Sequence, residues 1–166
     1  MAFWRPMLAA DLPAVDQLSN EIHPELPESP EVFAERLSLF PAGCFVVEDA
    51  GTIRGYIISH PIVKHEPPAL DKNLGTIDPK ADTYYIHDLV VSSQLRGRGL
   101  AGDGVQRVLE TAAREGFSEI CLISVYGTAG FWGRHGFEKQ AIEGSLAKKL
   151  EGYGSDAVFM TRLSGS

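Results

Sequence analysis

Apolar residues along this chain change their spacing several times, and each change marks an element. "FWRPML" opens as a short extended run. In "AADLPAVDQLSNEI" the residues Leu12, Val15 and Leu18 share one helical stripe, with Asp11 at the N-cap position and Pro13 in the first turn. "HPELPESP" breaks that period. Ser29 then caps a second helix, "PEVFAERLSLF", with Pro30 at its first position. "GCFVVEDAGTIRGYIISHPIV" reads as a hairpin turning through "EDAGTIRG". Lys64 to Asp82 is polar and broken by prolines, a connection long enough to suggest a functional loop.

"TYYIHDLVV" is apolar on both alternating faces. Strict alternation puts Tyr85, Leu89 and Val91 on one face and Tyr84, Ile86 and Val90 on the other, as in a central strand covered on both sides. From Leu100 to Arg114 the period becomes helical through Ala101, Val105, Val108 and Ala112, and Gly116 stops it. "SEICLISV" is another buried strand, "GTAGFWGRH" a short helix, and "GFEKQ" and "DAVFMTRL" supply the last strands. The order β-α-α-β-β-β-α-β-α-β-β predicts an α/β fold around one mixed sheet. Residues 1–163 are expected to form a single domain, with 164–166 as a C-terminal tail.

Composition narrows the function. The chain has 166 residues, 44% of them hydrophobic and 22% charged, which suits a soluble globular domain. Its net charge of −7 argues against a nucleic-acid partner and mildly favours a cationic or amine-bearing substrate. No apolar run approaches the ~20 residues needed to span a bilayer, and the N-terminus lacks a signal pattern. The expectation is therefore a cytoplasmic protein with no membrane partner. Cys44 and Cys121 sit in apolar runs and read as buried thiols. His23, His60 and His65 have no ligand spacing, so no metal is expected.

Candidate chemistry concentrates in "QLRGRGLAGDG", which satisfies two phosphate-binding patterns at once. "GRGLAG" fits the dinucleotide fingerprint, but that motif needs its first glycine directly after a strand and an acidic residue ending the next strand. Here "SSQLR" intervenes, and "EICLISVY" ends without a carboxylate. "QLRGRG" fits a loop for the pyrophosphate of an acyl-coenzyme A. Gly97 and Gly99 remove Cβ atoms from the path of the anion, and the helix starting at Leu100 aims its positive end at it. Arg96 and Arg98 add charge. Gly102 and Gly104 lie early in the helix, where glycine is costly; packing against the sheet and room for the cofactor are the two readings, evenly weighted for Gly104.

"IHDLVVSSQLRGRGLAGDGVQRVLE", followed by "SVYGTAGFWGRHGFEK", resembles the Gcn5-related N-acetyltransferase (GNAT) superfamily. The likeness extends to "WRPMLAADLPAVDQLS" and "YGSDAVFMTRL". It implies a mixed, mostly antiparallel sheet of about six or seven strands, flanked by helices on both faces, with two neighbouring parallel strands splayed around the donor. It also implies transfer of an acetyl group from acetyl-CoA to a primary amine by direct attack in a ternary complex. By position, Leu89, Val90 and Val91 correspond to the stretch that pairs with the pantetheine arm. Arg96, Gly97, Arg98, Gly99, Leu100, Ala101 and Gly102 correspond to the pyrophosphate loop.

The resemblance also locates candidate catalytic groups. His87 lies where relatives often carry a glutamate, and an imidazole suits proton removal near neutral pH; a satisfied structural histidine is an equal reading. Strand alternation puts Asp88 on the opposite face. Trp132 replaces the tyrosine that many relatives use to protonate the thiolate, so Tyr126 becomes the candidate acid and a further cofactor contact. Acceptor-side candidates are Glu21, Glu25, Tyr85 and His87, with the acceptor a small-molecule or protein amine. Homodimers are common in the family. The Trp132 departure motivates an alternative, a non-catalytic acyl-CoA-binding sensor on the same fold.

Overall fold

The computed structural model describes residues 1–163; the expected tail at 164–166 lies outside the described residues. The chain forms β1 (Ala2–Pro6), α1 (Leu12–Ile22), α2 (Pro30–Leu39), β2 (Cys44–Asp49), β3 (Thr52–Ile62), β4 (Thr83–Val91) and α3 (Leu100–Arg114). There follow β5 (Glu119–Ser124), α4 (Ala129–Arg134), β6 (Glu138–Lys139), α5 (Gly144–Glu151) and β7 (Val158–Leu163). Seven strands make one sheet in the order β1-β2-β3-β4-β5-β7-β6. Neighbouring strands are antiparallel, except that β4 and β5 run parallel.

Helices cover both faces. Val105, Val108 and Ala112 of α3 and Trp132 of α4 pack on Trp4, Ile57, Tyr84, Ile86 and Leu122. On the other face Val15 and Leu18 of α1 and Phe33 of α2 meet Val46, Tyr56, Ile58 and Val90. There α5 adds Leu146 and Leu150 over Tyr85, Cys121 and Phe159. This helix is absent from the sequence reading, which assigned no element between "GFEKQ" and "DAVFMTRL". Leu146, Leu150 and Tyr153 do recur at helical spacing, but over too short a run to stand out between glycines. No helix among the described residues is long and apolar enough to cross a membrane.

Local chemistry differs from expectation at several turns. The β2–β3 turn is only Ala50-Gly51, both left-handed at φ 50° and 84°, the geometry that matches strand twist in a two-residue hairpin. Asp11 occupies the N-cap of α1, but its carboxylate accepts from Leu8 N–H (2.8 Å) and Arg5 rather than from the helix. Ser29 likewise sits at the N-cap of α2 and turns its hydroxyl to Asp71 (3.2 Å).

The alternation of β4 fails at one position. Ile58 of β3 pairs with Asp88 and the next residue, Ser59, pairs with Ile86, so His87 is an extra residue without a partner, a β-bulge. Beyond the bulge the faces exchange: Leu89 and Val91 join Tyr84 and Ile86 beneath α3, while Val90 joins the α1 side. Asp88 therefore projects with His87 toward α1 and α2, correcting the expectation of opposite faces.

The start of α3 is fixed by a close fit. Trp4 Nε1–H donates to the Leu100 carbonyl at 2.8 Å, and a Cβ on Gly104 would lie 2.8 Å from Trp4 Cζ2. Packing thus accounts for Gly104. At Gly102 a Cβ would meet nothing nearer than His135 Cε1 at 3.5 Å. Gly104→Ala should therefore be less stable than Gly102→Ala by about 1–3 kcal/mol, the usual cost of overpacking. Thermal denaturation should separate the two by about 2–4 °C per kcal/mol; equal midpoints would contradict this fit.

Candidate active site

Parallel pairing between β4 and β5 covers only Tyr84–Ile86 against Ile120–Leu122. Past the bulge β4 stays with β3, through Leu89–Ile57, Val90–Tyr56 and Val91–Gly55, and leaves β5. The main-chain edge of Leu89, Val90 and Val91 facing β5 consequently has no strand partner among the described residues. A cavity of about 320 Å³ opens in this wedge, bordered by Ile86 to Val91, by Leu122, Ile123, Val125 and Tyr126, and by Phe131 and Trp132. His23 and Ile22, at the end of α1, close its far side.

A second cavity of about 590 Å³ adjoins the first, since Val91, Ala101 and Phe131 border both. Arg96, Gly97, Gly99, Leu100, Ala101 and Gly102 line it. Gly97 and Gly99 take φ of 83° and 72°, which side chains resist, and neither has an atom within 4 Å of where a Cβ would stand. Gly99 is the N-cap of α3, so the loop presents free amides and the helix's positive end to this space. Arg98 is exposed and does not line it. Arg134 and His135, from the end of α4, do. Burial, and then the charges of Arg134 and Arg162, lower the pKa of His135.

This shape fits a coenzyme A ester. An anion-binding loop lies at one end, an apolar slot with an unpaired strand edge at the other, and the two are continuous. Trp132 is 7% exposed and packs edge-on to Phe131 and Phe137, so it serves as slot wall. Among the described residues no cluster of side chains could hold a metal ion.

Two imidazole–carboxylate pairs stand beside the wedge. His87 Nε2 meets Glu28 Oε1 at 2.6 Å, with the His87 side chain 1% exposed. Glu28 also accepts from the Asp71 N–H at 3.1 Å, which fastens the long Lys64–Asp82 loop to the α1–α2 connection. Leu74 and Gly75 N–H groups add to this by donating to Glu35. The second pair is His23 Nε2 with Asp88 Oδ1 at 3.2 Å, and Tyr56 O–H donates to Asp88 Oδ2 at 2.6 Å. The His23 ring stacks on Tyr126, with centroids 5.2 Å apart and planes 11° off parallel. A small cavity of about 30 Å³ behind this group is bordered by His23, Glu28, Leu70, His87, Asp88 and Tyr153.

Sequence-predicted residues thus divide. Leu89, Val90, Val91, His87, Asp88 and Tyr126 border the wedge, and Arg96, Gly97, Gly99, Leu100, Ala101 and Gly102 border the glycine cavity. Glu21 and Glu25 are exposed and border neither, while Tyr85 is buried beneath α5. Sequence reasoning passed over His23 and the pairing of Glu28, because only the bulge brings the residues at 23, 28, 87 and 88 together. His23 carried no spacing signal.

Comparison with known proteins agrees with this geometry. A family model described as acetyltransferase (GNAT) family matches residues 11–137. The loading GNATL domain of CurA from Lyngbya majuscula superposes with a TM-score of 0.81 at 14% identity, covering 98% of each chain. Ard1 from Thermoplasma volcanium gives 0.76 at 16% identity over 99% of each chain. N-acetylglutamate synthase from Neisseria gonorrhoeae, complexed with coenzyme A and N-acetyl-glutamate, gives 0.76 at 17% identity over 100% of this chain and 36% of its own. No curated protein matches the sequence.

Burial opposes ionisation of Glu28. The charge and hydrogen bond of His87, the Asp71 amide and the Arg36 charge outweigh it, holding the carboxyl below its ordinary 4.5. A carboxyl lowered on folding stabilises the protein above its unfolded pKa, and that contribution is lost as pH falls through the folded pKa. Glu28→Gln should therefore lower Tm at pH 7 and flatten the decline of Tm between pH 5 and pH 3. Circular dichroism melts giving parallel curves for the two proteins would contradict this.

Proposed function

The chain belongs to the acetyltransferase (GNAT) family, and from that premise we propose that it is an N-acetyltransferase. It moves an acetyl group from acetyl-CoA to a primary amine by direct attack in a ternary complex. The observation that carries this reading is the unpaired edge of Leu89–Val91, in line with the glycine cavity. A pantetheine arm adds to that edge as an extra strand would, and its diphosphate reaches the amides of Gly97 to Gly102. The solved relative holding coenzyme A and N-acetyl-glutamate supports the same pairing of donor and product class.

In this reading the chain's own groups divide the work. Arg96 and the start of α3 neutralise the diphosphate, with Arg98 adding charge from outside. A backbone N–H at Val90 or Val91 faces the developing oxyanion. Phe131, Trp132 and Leu122 keep water from the thioester. Tyr126 is the candidate donor for the departing thiolate, and a thiol pKa near ~8.5 makes its task light. The acceptor enters from the α1–α2 side, where His87 and Asp88 stand, and must arrive as the neutral amine.

Two measurements test this. Acetyl-CoA with a panel of primary amines (polyamines, amino sugars, amino-acid esters and short peptides) should release free thiol with at least one of them. Tight acetyl-CoA binding without turnover across the panel would contradict catalysis and leave a sensor. Gly99→Asp should weaken acetyl-CoA binding by on the order of 100-fold or more in calorimetry, as a carboxylate faces the diphosphate. Gly99→Asn, which tolerates the left-handed backbone without adding charge, should keep most of the affinity. Undiminished binding by Gly99→Asp would refute the loop assignment.

A further inference from the structure

His23 is the more open of the two imidazoles at the wedge. Its side chain is 15% exposed against 1% for His87, it borders both the main cavity and the small one behind it, and its Nδ1 has no hydrogen-bond partner among the described residues. Its tautomer follows from its other contact. The Asp88 carboxylate, already accepting from Tyr56, can only accept from His23, so neutral His23 carries its proton on Nε2. That leaves the Nδ1 lone pair open. The arrangement is a carboxylate that orients an imidazole and stabilises its cation.

Resting on the acetyltransferase reading, we propose that His23 is the residue that takes the proton from the acceptor amine, with Asp88 and Tyr56 as its positioning residues. The amine nitrogen bonds to the thioester carbonyl carbon as the C–S bond breaks. The nitrogen's proton passes to His23 Nδ1, directly or through one water, and the imidazolium is held by Asp88. The sulfur leaves as thiolate and takes a proton from Tyr126, whose ring lies against His23. His23 then returns its proton through solvent to Tyr126, so that amine and thioester give amide and free thiol with no net proton change and both side chains are restored.

The other imidazole, His87, borders the same two cavities and its Nδ1 likewise has no partner among the described residues, but its side chain is almost wholly covered. It is enclosed by Glu28, His60 and Tyr85, and its carboxylate partner also ties down the long loop. His60 is buried too, and burial together with the charge of His87 lowers its pKa to about 3. The titratable groups around His23 are Asp88 and His87 from β4, Tyr56 from β3, Glu28 from the α1–α2 connection and Tyr126 just after β5; of these Asp88 and Glu28 shift its titration. Burial lowers the His23 pKa, but the hydrogen bond and charge of Asp88 and the charge of Glu28 raise it further, to a net value above 6.5. A raised histidine is protonated, and inactive as a base, on the acid side of that value.

The test uses the full-length protein, the fastest amine of the panel and the pH profile of kcat/KM. The wild type should rise with unit slope to a plateau whose inflection lies above pH 6.5. His23→Gln keeps a donor for Asp88 but has no titrating nitrogen. It should lose on the order of 10²–10⁴-fold near pH 7 and climb toward the amine's own pKa, with acetyl-CoA affinity unchanged in calorimetry. Asp88→Asn should move the inflection to lower pH. An unchanged profile for His23→Gln, or loss confined to Asp88→Asn, would overturn the proposal. If no amine reacts with the wild type, the acetyltransferase reading fails separately. Nitrogen-15 NMR of labelled histidines then decides the pair: a proton on Nδ1 of neutral His23, or a titration indifferent to Asp88→Asn, would refute it.

Discussion

One extra residue in β4 organises this molecule. With His87 bulged out of the ladder, β4 keeps its bonds to β3 on both sides of the bulge but parts from β5 after Ile86. A bulge increases twist and bends its strand, and here that bend opens the wedge. It also turns two consecutive polar side chains toward the same helices, so that Asp88 reaches His23 and His87 reaches Glu28. In a regular strand one of them would lie under α3, an unpaired charge in an apolar layer and a cost of several kcal/mol. The opening of the wedge and the clustering of the titratable groups are therefore one event.

Two further contacts hold the parts around the wedge in register. Trp4 sits in the notch left by Gly104 and donates to the carbonyl of Leu100, which sets where α3 begins and hence where the glycine loop presents its amides. On the opposite face the Lys64–Asp82 loop is strapped down by Glu28, Glu35, Arg36 and Tyr153. A connection of that length would otherwise be costly to order. These backbone amides and carbonyls find partners in buried or half-buried side chains, so this loop is held as a fixed surface.

Much of this was legible in the residues themselves. Element identity followed from apolar spacing wherever the run was long, as in α1, α3 and β4, and the left-handed, open backbone at Gly97 and Gly99 is what their glycines led one to expect. What escaped was of two kinds. The helix α5 is too short for its period to outweigh its flanking glycines. The bulge has no local signature: its cause lies in pairing with β3, and strict alternation was the natural reading of "TYYIHDLVV". The face assigned to Asp88 follows from that alternation, and its pairing with His23, 65 positions away, could not be read from it. Charge counting did not separate the exposed Glu21 and Glu25 from the buried Glu28.

The central claim is that the unpaired edge of β4 and the loop ahead of α3 receive one extended ligand. Backbone amide shift mapping by NMR on adding acetyl-CoA tests it most directly. The largest changes, with slowed hydrogen exchange, should fall on the amides of Leu89 to Val91 and Gly97 to Gly102 together. Changes concentrated elsewhere, or on the loop alone with the strand edge still exchanging freely, would contradict it.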